Sequence, residues 1–170
     1  KHLSADICII GSGPAGISLA RSFLGTSKTV LLMESGNESY DTPTQNLYMG
    51  EILDNLPPVP LHASRLRYYG GTSNHWTGHC SPFKQIDFRK RDWIQYSGWP
   101  FEFKEIENVY KDAQSEIELG RYDYEANNWT NSQDQVVNWK GGVFKNAILQ
   151  RNPLRFGPRY KRSIYNSKNI

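Results

Sequence analysis

The thirty residues from Ala5 to Glu34, ADICIIGSGPAGISLARSFLGTSKTVLLME, constrain the fold more than any other part of the chain. An apolar run, Ile7 to Ile10, leads into Gly11, Gly13 and Gly16 at the spacing G-x-G-x-x-G. A helical pattern follows, then a second apolar run, Val30 to Met33, ending at Glu34. Strand, glycine turn, helix, strand and acidic residue together turn a weak glycine pattern into a dinucleotide-binding expectation. The other reading of the same residues is a tight βαβ turn without a ligand.

Each residue type in the pattern has a physical task. Gly11 permits the tight turn out of the strand, Gly13 lets a pyrophosphate approach the backbone, and Gly16 lets the helix pack close to the strand. Pro14 suits the first helical turn, where its missing N–H has no partner to lose. The free N–H groups and positive dipole end of that helix then face the phosphates. Glu34 lies 23 residues beyond Gly11 (34 − 11). A carboxylate there accepts hydrogen bonds from both ribose hydroxyls of an adenosine and repels a 2′-phosphate, so FAD or NAD fits and NADP does not.

At 170 residues the chain suffices for one domain with a sizeable core. Its net charge of +3 is mild and calls for no nucleic-acid partner. Two cysteines, Cys8 and Cys80, make no disulfide framework, and Cys8, inside the first expected strand, reads as a small buried apolar residue. No stretch is long and apolar enough to cross a membrane. The chain begins at Lys1, so a trimmed N-terminus is expected; the compartment stays open, with the cytoplasm favoured over a periplasmic or secreted location. The close, SIYNSKNI, shows no evident final element, and the expectation is the N-terminal part of a longer protein.

Asn37 to Ala63 holds Pro43, Pro57, Pro58 and Pro60 and reads as an extended excursion over the surface. Ser64 to Phe83, SRLRYYGGTSNHWTGHCSPF, is the second special segment. YSGWPF reads as a turn, and after it Phe103, Ile106, Tyr110, Ala113 and Ile117 recur at helical spacing until Gly120. Arg121 to Asn138 reads as loop with short strands, and Val143 to Leu149 as a strand. Arg151 to Arg162 carries five basic residues around Phe156 and Tyr160 and reads as a solvated or structural basic loop. His75, His79 and Cys80 invite a metal reading, but no fourth ligand is evident and the glycines around them argue for a loop. Arg65 and Arg67 either help hold phosphates or face solvent.

With these segments in hand, the chain resembles the glucose–methanol–choline family of flavoprotein oxidoreductases. The first match is IIGSGPAGISLA with VLLMESG; the second is YYGGTSNHWTG, Tyr68 to Gly78, similar to the family's second flavin-contacting loop; the third is SGWPF, Ser97 to Phe101, followed by the helix through Glu105 and Tyr110. The three cover roughly the first 120 residues in the family's order. The loop Ser73 to Trp76 looks most like that of the pyranose 2-oxidase branch, with Asn74 where that branch has Thr.

The resemblance implies an α/β, Rossmann-like FAD-binding domain with a parallel sheet and βαβ unit, incomplete here, with the beginning of a substrate or cap region. Residues 1–80 would be the N-terminal part of the FAD-binding domain and 81–170 the start of the cap. Its implied cofactor is FAD, held by Gly11, Ser12, Gly13, Pro14, Ala15, Gly16, Glu34 and Ser35 from the first segment. Arg65, Gly70, Gly71, Ser73, Asn74, His75 and Trp76 would join them from the second. His75 would carry the flavin covalently through the 8α-carbon, attacking as the neutral imidazole, or only pack beside the dimethylbenzene edge. The implied chemistry is oxidation of an alcohol or sugar, with hydride transfer to flavin N5 and no catalytic base in this chain. The electron acceptor and the oligomeric state stay open. The competing readings are another Rossmann-type FAD enzyme, such as a monooxygenase or amine oxidase, and a non-catalytic FAD-binding or assembly fragment that needs a second polypeptide.

Overall fold

The computed structural model describes residues 2–51, 59–131 and 136–170; Pro57 and Pro58 of the expected surface excursion lie outside the described residues. In chain order the elements are β1 (Ile7–Ile10), α1 (Pro14–Ser22), β2 (Val30–Met33), α2 (Thr42–Gln45), α3 (Leu61–Ser64), β3 (His79–Cys80), α4 (Gln85–Phe88), α5 (Phe103–Glu116), β4 (Gln150–Arg151) and α6 (Phe156–Tyr165). Single 3-10 turns lie at Asn46–Tyr48, Gly71–Asn74 and Ala126–Trp129. The chain divides into two compact units, one of Lys1–Trp76 with Pro153–Ile170 and one of Thr77–Asn152. The last eighteen residues therefore belong with the first unit rather than with the region from 81 onward (170 − 152 = 18).

The first unit is mixed α/β. β1 and β2 pair in parallel, Ile7 opposite Val30 through Ile10 opposite Met33, with α1 as the crossover. Ile9, Ala20, Val30 and Ile164 form its buried cluster, with Ile7, Phe23, Leu32 and Ile170 packed against it. Ile17 and Ala20, three apart on α1, are fully buried, as helical periodicity requires of a core-facing stripe. Strand alternation sends Ile9 inward and its neighbours outward. Cys8 is therefore exposed, which corrects its reading as a buried apolar residue, and Ile10 is 86 % exposed on the same side. A parallel sheet usually has both faces covered; this one has α1 and α6 on one side only among the described residues.

The basic segment read as a loop is helix from Phe156 onward, and this is the largest correction to the sequence reading. Phe156, Tyr160 and Ile164 fall four apart and are buried, while the basic side chains Arg159, Lys161 and Arg162 take the other faces. Beyond α6 the tail runs beside β2: Val30 N–H donates to the Asn169 carbonyl at 2.7 Å, and the Asn169 side-chain amide donates to Phe23 and Lys28 carbonyls. The excursion after β2 holds more structure than expected. Asp41 caps α2 by accepting from Thr44 N–H, and buried Gln45 pins the segment before the double glycine, donating to the Arg65 carbonyl at 2.6 Å and accepting from Arg67 N–H at 2.9 Å.

In the second unit β3 and β4 pair antiparallel, His79 opposite Arg151 and Cys80 opposite Gln150. The strand read at Val143 to Leu149 is thus displaced to Gln150–Arg151, and among the described residues of Arg121 to Asn138 there is a 3-10 turn and no strand. Buried amides explain the displacement. Gln114 of α5 donates to the Gly120 and Arg121 carbonyls and to Gln150 Oε1, and Gln150 donates to the Arg121 and Asp123 carbonyls. A strand at Val143 to Leu149 would have no comparable network to hold it. α5 forms where the apolar periodicity placed it, with Glu105 accepting from the Glu102 N–H at its start. Phe88 is the buried centre of a ring cluster with Phe83, Trp99, Phe101 and Phe103. No helix among the described residues is long and apolar enough to cross a membrane.

Candidate functional site

Three loops of the first unit converge at the end of the parallel sheet. The glycine turn between β1 and α1 comes first. Gly11 takes φ +97°, and Gly11 N–H donates to the Met33 carbonyl at 2.7 Å, which ties the turn to the end of β2. A β-carbon on Gly16 would stand 1.8 Å from the Gly11 carbonyl oxygen, so only glycine lets α1 lie this close. At Gly13 the opposite holds: an added β-carbon would meet nothing within 4 Å. Gly13 is the N-cap of α1, no side chain caps that end, and no acidic residue sits in its first turn. Open backbone and an uncapped dipole end favour an anion there.

The second loop follows β2. Glu34 Oε2 accepts from the Ser12 N–H at 2.9 Å and the Ser12 hydroxyl at 2.7 Å, while Oε1 accepts from Gly36 N–H at 2.9 Å and the Ser35 hydroxyl at 3.3 Å. Burial opposes the charge, but the bonds from Ser12, Gly36 and Ser35 outweigh it and hold the carboxyl below its ordinary range. About four lone-pair positions are available on a carboxylate, and the protein fills them. Beside Glu34 opens a cavity of about 350 Å³ lined by Ser12, Leu32, Tyr69, Ile164 and Tyr165 among others.

The third loop carries the double glycine. Gly70 N–H donates to the Ser12 carbonyl at 3.0 Å, and a β-carbon on Gly71 would stand 3.2 Å from the Gly13 α-carbon. Gly70 takes φ +92° and lies so near Gly157 of α6 that a β-carbon would come within 2.7 Å of that backbone. Tyr69 N–H donates to the Asn37 carbonyl, which joins the second and third loops. Ser73 is buried, its hydroxyl donating to the Gly70 carbonyl at 2.8 Å, and the Asn74 amide donates to the Tyr69 carbonyl at 2.8 Å.

The structure thus brings Gly11, Ser12, Gly13, Glu34, Ser35, Gly70, Gly71, Ser73 and Asn74 into one contiguous group, with Pro14, Ala15 and Gly16 opening α1 beside it. His75 follows the 3-10 turn, its ring exposed and without a hydrogen bond among the described residues. Trp76 is turned inward, donating to the Leu154 carbonyl at 2.7 Å. Arg65 stands apart: its guanidinium lies over the Tyr48 ring at 5.8 Å, and Arg67 shares that ring at 4.9 Å. In the second unit the His79 ring meets the Thr77 hydroxyl and the Cys80 thiol points to the Gly78 carbonyl. Among the described residues no three potential metal ligands cluster.

Two residues at the site escaped sequence reading. Tyr69 is 8 % exposed and its hydroxyl has no hydrogen-bond partner; burial, with Tyr165 and Glu38 nearby, pushes its pKa up to about 12. Arg155, read as part of a solvated or structural basic loop, reaches the third loop at two points, donating to the Ser73 carbonyl at 2.9 Å and the Trp76 carbonyl at 2.8 Å. The apolar spacing from Phe156 was a signal for the helix behind it; nothing in the sequence marks the two carbonyls.

A scan of protein-family models and a search of curated proteins give no match to this chain.

Proposed function

We propose that the chain is the FAD-binding part of an oxidoreductase acting on CH–OH groups of alcohols or sugars, built on a Rossmann-like βαβ unit. One observation carries the reading. The two glycine segments assigned to flavin from sequence, 58 residues apart at Gly70 and Ser12 (70 − 12), pack against each other through Gly70 N–H to Ser12 O at 3.0 Å. The group's demands match the residues present. Gly13 offers open backbone at an uncapped helix end for a pyrophosphate. Glu34 is an ionised acceptor beside a recess of about 350 Å³, within the usual range for ligand pockets.

Bound FAD would supply the acceptor for a hydride leaving the carbinol carbon as its hydroxyl proton passes to a base. No residue of this chain is assigned as that base. His75, exposed at the end of the third loop, is the residue through which attachment to the 8α-carbon would occur. Such a bond would be a net two-electron oxidation: one proton would leave the 8α-carbon and one the imidazole N–H, and dioxygen or another two-electron acceptor would have to take the electrons.

A second reading, in which the chain works only together with another polypeptide segment, is favoured by the uncovered sheet face at Cys8 and Ile10. The visible spectrum of the chain loaded with FAD, before and after acid precipitation, tests the first reading. Yellow protein supports FAD binding, and colour that stays in the pellet supports His75 attachment. A protein that stays colourless after incubation with FAD defeats the reading.

A further inference from the structure

We infer that Arg155 is the positioning residue of the Gly70–Trp76 loop: it fixes the direction in which His75 is presented. The inference rests on the FAD reading for what His75 faces, but not for the clamp itself. The argument begins with where the guanidinium goes. One Arg155 nitrogen, Nη1, donates to the carbonyls of both Ser73 and Trp76, at 2.9 and 2.8 Å. Those carbonyls bracket Asn74 and His75, so one planar, permanently charged group closes the short arch on which His75 stands.

The rest of the arch is tied to the same helix start. Phe156 N–H donates to the Ser73 hydroxyl at 3.2 Å, and Trp76 Nε1 donates to the Leu154 carbonyl at 2.7 Å. The Trp76 and Phe156 rings meet edge-on at 6.3 Å, and Phe156 is 1 % exposed. Every residue of the arch is thus held at its backbone or side chain, His75 through its N–H to the Thr72 carbonyl at 3.1 Å, and only the His75 ring is left exposed and free. Such an arrangement costs side-chain freedom at Arg155, Ser73 and Trp76 and spends it on orienting one imidazole. A solvated arginine on a helix start would need none of these bonds. Lysine could replace only part of the interaction: its single nitrogen also carries several N–H donors, but its chain is one atom shorter than the reach to Nη1, and its ammonium is more strongly hydrated than the guanidinium.

The experiment compares the unmutated chain with Arg155→Lys and Arg155→Gln, reading amide hydrogen exchange with and without FAD and acid-stable flavin after loading. In Arg155→Gln, exchange at Asn74, His75 and Trp76 should quicken roughly ten- to a hundredfold, the factor expected for loss of charge-assisted bonds. Amides of β1 and α1 should keep their rates, and FAD should still bind through the glycine turn. Acid-stable flavin should fall at least about tenfold in Arg155→Gln and recover in part in Arg155→Lys, since local opening of the arch misdirects His75 while the fold persists. Unchanged exchange at the three amides overturns the clamp whatever the flavin does. Quickened exchange with full acid-stable flavin overturns the positioning role. Extractable flavin in the unmutated chain defeats attachment at His75, and the exchange data then decide the clamp alone. If Arg155→Gln does not fold, Arg155→Lys decides: unaltered exchange and flavin in a variant with a different donor geometry overturn the inference.

Discussion

The β-carbon that Gly16 lacks would stand 1.8 Å from the carbonyl oxygen of Gly11. α1 and the strand before it touch backbone to backbone at this point, and the contact sets the height of the helix start above the sheet. Gly16→Ala must push the helix away or break the turn. Overpacking of this kind costs about 1–3 kcal/mol or more, so the thermal midpoint of Gly16→Ala should fall by several degrees. An unchanged midpoint would mean that the turn is looser than described.

Glu34 ties the glycine turn to the loop after β2, and its charge is what makes the tie strong. Its carboxyl sits below the ordinary value of 4.5 in the folded chain: burial works against ionisation, and the bonds from Ser12, Gly36 and Ser35 prevail. A carboxyl whose folded pKa is depressed stabilises fully above its unfolded value, and that contribution is lost as pH falls through the folded pKa. Glu34→Gln should therefore be less stable at pH 7, by about 1 kcal/mol for a partly exposed group. The gap from the unmutated chain should close as pH drops below 4.5. Urea unfolding at pH 7 and at acid pH measures it; a gap that stays constant speaks against the charged tie.

Tyr69 carries a buried hydroxyl with no partner, and desolvation is the first cause of its raised pKa of about 12. Removing the oxygen relieves a buried unsatisfied group while leaving the ring on Tyr165, 5.8 Å away. Tyr69→Phe should be more stable than the unmutated chain by about 1 kcal/mol. Loss of stability instead would show that the hydroxyl is satisfied in solution.

His75 is exposed while its neighbours are anchored. His75→Ala should leave folding and FAD affinity in place, because the glycine turn and Glu34 are untouched, and should make all bound flavin extractable by acid. Loss of FAD altogether would assign His75 and its loop a structural part in holding Gly70 and Gly71.

Sequence legibility followed how local the determinants are. The βαβ unit was readable because the two apolar runs, the glycine spacing and the helical pattern that buries Ile17 and Ala20 all lie within one short stretch. α5 was readable for the same reason. α6 was missed because its three basic side chains mask the three buried ones, Phe156, Tyr160 and Ile164, which form the stripe only when the chain returns to the first unit. β4 was misplaced because long-range amide bonds from Gln114 decide its position, not the apolar run before it. At the site, the glycines and Glu34 were legible by type and spacing. Arg155 was not, since its partners are the carbonyls of Ser73 and Trp76, 82 and 79 residues away.

The central claim is that Gly13 opens the start of α1 to a dinucleotide, and Gly13→Val tests it most directly. A side chain there meets no neighbour at its β-carbon and Gly13 has an ordinary extended backbone, φ −72° and ψ −176°, so the variant should fold with an unchanged circular dichroism spectrum. The measurement is a titration of both proteins with FAD, followed by flavin fluorescence. The unmutated chain should bind FAD at one site per chain and folded Gly13→Val should bind none. Equal binding by the two, or none by either, would contradict the account.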